Sequence, residues 1–297
     1  MPLFDGDLEN RPVDPSEEFA EQHNHFFLAQ KLGEFDPGSA SGKVRWAGFS
    51  LEQRVSYHQV TLPFADQKAW TDAPPSEYDD VQDFPFSISF ITPRTVRLRL
   101  AARPQGVPVV GSLILDGEPP TDDTWEPADD GSLATYAGPF GSLRVERDPF
   151  HLEFRDASGR LLTRTLHPSD SRSQLNSLPI PLSFVRCSSD LHRHLAATFS
   201  LAPGERLFGG GESFTRLDKR GQKMVLWTCD AYGAQTPYMY KPVPFFMSSR
   251  GYGVFVHTSA AATFDLGHSY DGAATVYLGD DLLDLFVFFG SPKTSDV

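Results

Sequence analysis

Trp227, Asp230 and Tyr232 bring a wide aromatic face, a carboxylate and a phenol together within six residues, just before Gly233 and the run Ala234 to Pro237. An aromatic ring covers the apolar C–H face of a pyranose, and a carboxylate accepts hydrogen bonds from its hydroxyls, so the combination suits a neutral sugar. A core tryptophan beside a turn aspartate has the same spelling. Spacing by itself favours that plainer reading.

Neighbouring strings invite other chemistry and mostly decline it. Phe208-Gly209-Gly210-Gly211-Glu212-Ser213-Phe214 lacks the GxxxxGK[ST] spacing of a phosphate cradle and has no basic patch to support one. A tight backbone turn that points Glu212 inward, where it accepts backbone hydrogen bonds, is the better account. His257, closing the apolar run from Val254, and His268 could each serve as the acid of a proton-transfer pair. A histidine in an apolar strand is more often packed than catalytic. Between Asp116 and Asp130 stand seven acids and no base, a set that could hold calcium but matches no EF-hand loop, so a solvated surface loop is expected there. Cys187 and Cys229 belong to no CxxC pair or metal cluster and read as small buried hydrophobes in a reducing compartment. Neither a metal nor a cofactor is expected.

The elements that must position these residues are strands. From Lys43 onward, short apolar and β-branched runs repeat between turn residues, which is the pattern of a sandwich or barrel. In Thr95 to Leu100, Val96, Leu98 and Leu100 alternate with Arg97 and Arg99, one face inward and one in water. Phe150 to Arg155 and Arg160 to Thr165 flank Asp156-Ala157-Ser158-Gly159 as a hairpin. Ser248 to Gly253 reads as another hairpin turn, with Tyr252 either packed or exposed. Leu166 to Ser177 reads as a polar loop. Only Asp14-Pro15-Ser16-Glu17-Glu18 looks like a helix start, continuing towards Gln30, with an extended arm from His23 as the alternative.

Composition bounds the function. The chain has 297 residues, 24 Gly, 24 Pro and 24 Phe, which favours many strands and turns over a helical bundle. A formal charge of −13 repels phosphate backbones and anionic lipid surfaces and leaves neutral ligands unaffected, so nucleic acid and membrane are not expected partners. Acids near Met1 stand where a signal peptide needs basic charge, and no apolar run approaches membrane-spanning length. The expectation is a cytoplasmic protein.

In order, the glycine-Glu-Ser-Phe string, Leu217-Asp218-Lys219-Arg220-Gly221, the Trp227…Asp230 segment, and Tyr240-Lys241-Pro242-Val243-Pro244-Phe245-Phe246 followed by Arg250-Gly251-Tyr252-Gly253-Val254 resemble the amino-terminal domain of glycoside hydrolase family 31, the retaining α-glucosidases and α-xylosidases. The resemblance is most specific over Leu207 to Phe289. It implies an all-β fold, an antiparallel galactose-mutarotase-like sandwich with few short helices, packed in the full enzyme on a (β/α)8 barrel. The catalytic carboxylates of the family lie on that barrel, so the resemblance implies no catalytic residue in this chain. Asp230 would accept hydrogen bonds from substrate hydroxyls, with Trp227 and Tyr232 beside it. Glu212, Lys219, Arg220 and Arg250 would be sandwich architecture or barrel contacts.

The expected organisation is an N-terminal arm with a short helix over 1–40, a sandwich over 41–290, and the start of a linker over 291–297. The partners implied are the enzyme's own barrel and an α-linked oligosaccharide, with the chain inactive by itself. Exposure of an apolar face around Tyr238, Tyr240 and Phe245 would favour self-association into a homo-oligomer. Two alternatives stay open at this point. One is a free-standing aldose 1-epimerase-like enzyme working with a carboxylate base and a histidine acid; the other is a carbohydrate-binding module.

Overall fold

The computed structural model describes residues 12–21, 23–49, 55–56, 59–60, 82–104, 112, 114–166, 181–229 and 239–290. Strands β1 (His25–Asp36), β2 (Ser41–Phe49), β3 (Val55–Ser56), β4 (Gln59–Val60), β5 (Gln82–Thr92) and β6 (Thr95–Ala101) come first. Next are β7 (Glu126–Asp129), β8 (Leu133–Gly138), β9 (Gly141–Arg147), β10 (Phe150–Asp156) and β11 (Leu161–Arg164). After these run β12 (Ser183–Arg186), β13 (Arg193–Ser200), β14 (Leu207–Glu212), β15 (Gln222–Leu226) and β16 (Lys241–Ser248). The last are β17 (Tyr252–Val256), β18 (Ala262–Leu266), β19 (Ala273–Leu278) and β20 (Leu282–Phe289).

Two antiparallel sheets do most of the building. The larger has thirteen strands in the order β14-β16-β17-β20-β6-β5-β2-β1-β12-β13-β19-β18-β15, and the smaller runs β11-β10-β9-β8-β7. The large sheet curls, because its two end strands meet: a Cβ on Gly210 of β14 would lie 2.6 Å from Met224 Cε of β15. Inside the curl, Phe246 meets Phe264 edge-on at 5.6 Å, and elsewhere in the core Phe184 stacks on Phe27 at 4.5 Å with Trp46 at its edge. The small sheet closes the other end, where Phe150 packs on Phe86 and Phe154 and Trp125 pack on Phe289. Each large side chain buried this way contributes about 1.5–3 kcal/mol against the entropy of ordering the chain. The fold is the all-β sandwich expected from the strand pattern.

The N-terminal expectation needs correction. The helix start is present, since Ser16 N–H donates to Asp14 Oδ1 at 3.0 Å, but it yields only one 3-10 turn, Glu17–Phe19. Tertiary packing ends it: Phe19 is needed on the outer face of the sheet, edge-on to Tyr277 at 5.2 Å with Phe26, Leu28, Val185 and Cys187 around it. His25–Asp36 then pairs with β2 on one side and β12 on the other, so the sandwich takes in residues assigned to an arm over 1–40. Residues 291–297, and the loop 167–177, lie outside the described residues.

Two details of patterning also differ. Val96, Leu98 and Leu100 do face the core, but Arg97 is not in water: its side chain is 11% exposed and pairs with Asp284. The hairpins are as expected, with Gly159 at φ +83 and Gly251 at φ +91 in their turns, and Tyr252 is packed at 2% exposure.

Candidate functional site

An open cavity of about 310 Å³ lies where the curled sheet brings the end of β15 to the start of β16 and to the segment before β18. Leu226, Trp227 and Thr228 form one wall, Pro242 and Pro244 another, and Thr258 to Ala262 the third. Its volume falls at the lower end of the range for small-molecule sites. Among the described residues no lining side chain is ionisable. The polar groups are the hydroxyls of Thr228, Thr258 and Ser259, with the half-buried Trp227 indole as the broad apolar surface. Such a lining suits an uncharged, hydroxyl-bearing ring.

Local structure explains why Trp227 is there. β15 pairs with β18 through Leu226 opposite Ala262, and Trp227 N–H then turns back to Val225 O at 3.0 Å, which ends the strand. Thr228 bridges Met239, and Cys229 N–H donates to Met239 O at 3.3 Å. Thr228 and Cys229 are thereby held against Met239, with Thr228 on the cavity wall. Asp230 and Tyr232, expected with Trp227 to hold sugar, lie outside the described residues, as does Tyr238. Of the three expected site residues, Trp227 is the one the structure places in the cavity.

His257 is not placed to pass a proton to a sugar. His257 Nδ1 lies 2.8 Å from Asp284 Oδ2, and Nε2 lies 2.7 Å from Ser112 Oγ. Ser112 Oγ already accepts the N–H groups of Ile114 at 3.0 Å and Leu115 at 2.9 Å, so its one hydrogen goes to Nε2. Nδ1 then carries the ring proton and donates it to Asp284. Both nitrogens are committed, and Asp284 is itself held by Arg97 through Nε at 2.8 Å and Nη2 at 2.6 Å. No position is left for a sugar oxygen. His268 is exposed and faces Gly221 O at 3.3 Å.

Other candidates are structural too. Glu212 does not turn inward: it is exposed and pairs with Lys241 at 3.4 Å, because the three glycines form a bulged end strand rather than a tight turn. The inward carboxylate is Glu205, which receives Tyr252 Oη at 2.8 Å and Ala202 N–H at 2.7 Å. Burial pushes the Tyr252 phenol well up, with the Glu205 charge adding to it. Arg250 ties β11 to the β16–β17 turn through the carbonyls of Leu161 and Leu162, and Arg220 reaches Asp271 O at 2.6 Å. Both cysteines are free and buried, and burial, with Glu18 adding, raises the Cys187 thiol to about 12. Among the described residues no cluster of three metal-ligating side chains occurs. Sequence reasoning missed Ser112, Asp284 and Arg97 as a network with His257, since long separations such as 145 residues between Ser112 and His257 leave no local signal.

A curled antiparallel sandwich, with an aromatic cavity where its two sheet ends meet, is the architecture to set beside known proteins. The family model for the glycosyl hydrolase 31 N-terminal galactose mutarotase-like domain matches residues 85–265, more than half of the chain, and the chain belongs to that family. It is similar to the α-xylosidase XylQ of Lactiplantibacillus pentosus, 33% identical over 157 residues, which is 52% of this chain and 19% of that protein. An α-xylosidase of Emericella nidulans is 36% identical over 98 residues, 33% of this chain and 12% of its own length. The chain thus spans less than a fifth of either curated relative. Among solved structures, the cycloalternan-forming enzyme of Listeria monocytogenes in complex with a pentasaccharide substrate superposes with a TM-score of 0.64 at 17% identity, over 90% of this chain and 21% of that one. The likeness at that identity is one of fold.

Proposed function

We propose that this domain packs on a (β/α)8 catalytic barrel and lends the segment beginning at Trp227, with Asp230 and Tyr232, to the sugar pocket of an α-xylosidase or α-glucosidase. The observation that carries the reading is the cavity at the root of that segment, with its indole wall and three hydroxyls and, among the described residues, no ionisable side chain. Such a lining is suited to holding a sugar ring. The family membership and the α-xylosidase relatives support the substrate class.

In that enzyme a barrel carboxylate attacks the anomeric carbon while a second carboxyl group protonates the leaving oxygen, and water then releases the sugar with retention. Asp230 is neither of these groups. Its part is to accept hydroxyl hydrogen bonds and hold a ring in register, and Trp227 covers an apolar ring face.

The test is enzymatic. The purified chain should hydrolyse neither an aryl α-xyloside nor an aryl α-glucoside. With the chain substituted for the matched segment of XylQ, hydrolysis should appear, and Asp230→Ala should then lower kcat/KM by roughly a hundredfold without changing the anomer released. Turnover by the chain alone would refute the reading.

A further inference from the structure

Two walls of the cavity belong to one strand pair. Leu226 ends β15 and leads into Trp227 and Thr228, while Thr258 to Ala262 lead into β18, with Leu226 opposite Ala262. β15 is a five-residue end strand that, among the described residues, pairs only with β18. A short strand laddered on one edge frays more readily than one paired on both. What else holds this pair therefore decides how firmly the Trp227 wall is fixed.

Asp14 holds it. One carboxylate oxygen, Oδ2, takes Lys223 Nζ of β15 at 2.7 Å, and the other, Oδ1, accepts the Thr263 hydroxyl of β18 at 2.7 Å. Lys223 and Thr263 alternate with Met224, Ala262 and Phe264 of the main core, so Asp14 grips both strands from the outer face. Thr263 is fully buried and directly follows Ala262 of the cavity wall. The Asp14 side chain is 12% and that of Lys223 33% exposed, so water screens the pair only in part. Asp14 Oδ1 also accepts the Ser16 N–H at 3.0 Å and hydroxyl at 2.7 Å, which sets the turn Glu17–Phe19.

From that turn the chain crosses the sheet. Phe19 lies on Tyr277 of β19, which stands opposite Thr263, with Val185 of β12 and Ala196 of β13 beside it. Asn24 donates to Glu18 O at 2.9 Å and Glu18 Oε2 at 2.7 Å and accepts the Ser188 N–H at 2.9 Å, and His25 then enters β1. In the sheet order β15 and β1 are five strand spacings apart, which is about 24 Å at about 4.8 Å each. The chain from Asp14 to His25 is thus a strap tied at both ends and in the middle. Covering apolar surface would need only Phe19; it would not need a carboxylate set on one residue of each cavity-bearing strand.

We propose that this strap positions the Trp227 wall, with Asp14 as the positioning residue. Its bearing on sugar rests on the function proposed above: the aromatic platform is fixed before a ring arrives, so less freedom is lost when one is held.

The experiment uses the chain itself, with its tryptophans replaced by 5-fluorotryptophan and the Trp227 fluorine line assigned by its loss in Trp227→Phe. In Asp14→Ala that line should shift or broaden while those of Trp46 and Trp125 stay in place, and amides of 223–229 should exchange at least about tenfold faster with those of β5 and β6 unchanged. Asp14→Asn keeps an acceptor for Thr263 and Ser16 and should recover part of both effects. Phe19→Ala releases the middle tie, on β19, and should disturb the same line and amides. A Trp227 line unmoved by Asp14→Ala overturns the proposal. So does a change in every line and strand, which would make the strap a source of overall stability only. Effects from Asp14→Ala with none from Phe19→Ala would confine the hold to one residue and overturn the strap as its carrier. No readout here measures sugar or turnover, so failure leaves the proposed function standing, and turnover by the chain alone, which refutes that function, leaves the strap.

Discussion

His257 and Asp284 share a hydrogen bond of 2.8 Å between Nδ1 and Oδ2, and the carboxylate that takes it is also clasped by Arg97 through both oxygens. Asp284 and Arg97 come from the adjacent strands β20 and β6, His257 directly follows β17 on the other side of β20, and the Arg97 guanidinium lies 5.0 Å over the Phe286 ring. With Arg97 at 11% and Asp284 at 4% exposure, this is a buried pair whose partners depend on each other. Removing one leaves the other charged and desolvated.

Asp284→Ala should therefore cost about 3–5 kcal/mol in urea unfolding, because Arg97 is stranded. Ser112→Ala removes a neutral hydrogen bond to His257 and the acceptor of the Ile114 and Leu115 amides, strands no charge, and should cost only about 1–2 kcal/mol. Equal losses in the two variants would contradict the network. Nitrogen chemical shifts of His257 should show the Nδ1–H tautomer.

Gly211→Ala should be far worse than its size indicates. Gly211 has φ +98, and a Cβ there would run into Lys241 O and come within 2.8 Å of Val243 N, where the bulge of β14 meets β16. Relief requires moving backbone in both strands, so a loss above about 2 kcal/mol is expected. Gly159 has φ +83 but open space around its Cβ position, so Gly159→Ala should cost only the left-handed penalty of about 1–2 kcal/mol. Thermal melts of the two variants would rank them.

How much of this was legible follows from what kind of signal each feature leaves. Val96, Leu98 and Leu100 repeat at period two, and Asp156 to Gly159 carries its own turn chemistry, so both appear in a local reading. Phe19 gave no such warning: the helix start at Asp14 is real, and what shortens it is Tyr277, far along the chain. Glu212 was misread for a related reason. Three glycines allow a turn or a bulge equally, and only pairing with Lys241 and Pro242 selects the bulge. Trp227 stood out by residue type, since a broad aromatic ring is what a sugar face packs on, and the structure does place it against a cavity. The cavity itself was not legible, since Thr258 to Ala262 reach it only through strand pairing.

Acid should reveal Asp156. Burial works to raise its carboxyl, but the Ser158 hydroxyl, the Arg160 guanidinium and the amides of both outweigh that and hold it at about 2 against an ordinary 3.8. A folded value below the unfolded one means stability fully present above about pH 4 and lost as pH falls through about 2. The group's share is on the order of 1–2 kcal/mol after solvent screening. In Asp156→Asn the difference from wild type in urea midpoint should therefore shrink between pH 5 and pH 2. A difference constant over that range would mean the carboxylate is not held as described.

Lys219 offers the converse case, a charge that weakens the chain carrying it. Its folded pKa lies below the ordinary 10.5, so the unfolded chain binds the proton more tightly. The cost is fully present at pH values below the folded pKa and is relieved as pH rises towards 10.5. Lys219→Met keeps the apolar stem and deletes the charge, leaving the Ser213 and Thr215 hydroxyls 3.1 Å apart and able to bond each other. At pH 7 the variant should be more stable than the wild-type chain by about 1 kcal/mol, a rise of roughly 2 °C in Tm. That gain should fade when the melts are repeated near pH 10. A variant less stable than wild type at pH 7 would mean that the Ser213 and Thr215 hydroxyls, which accept from Nζ at 2.9 and 2.7 Å, already compensate the Lys219 charge within the domain.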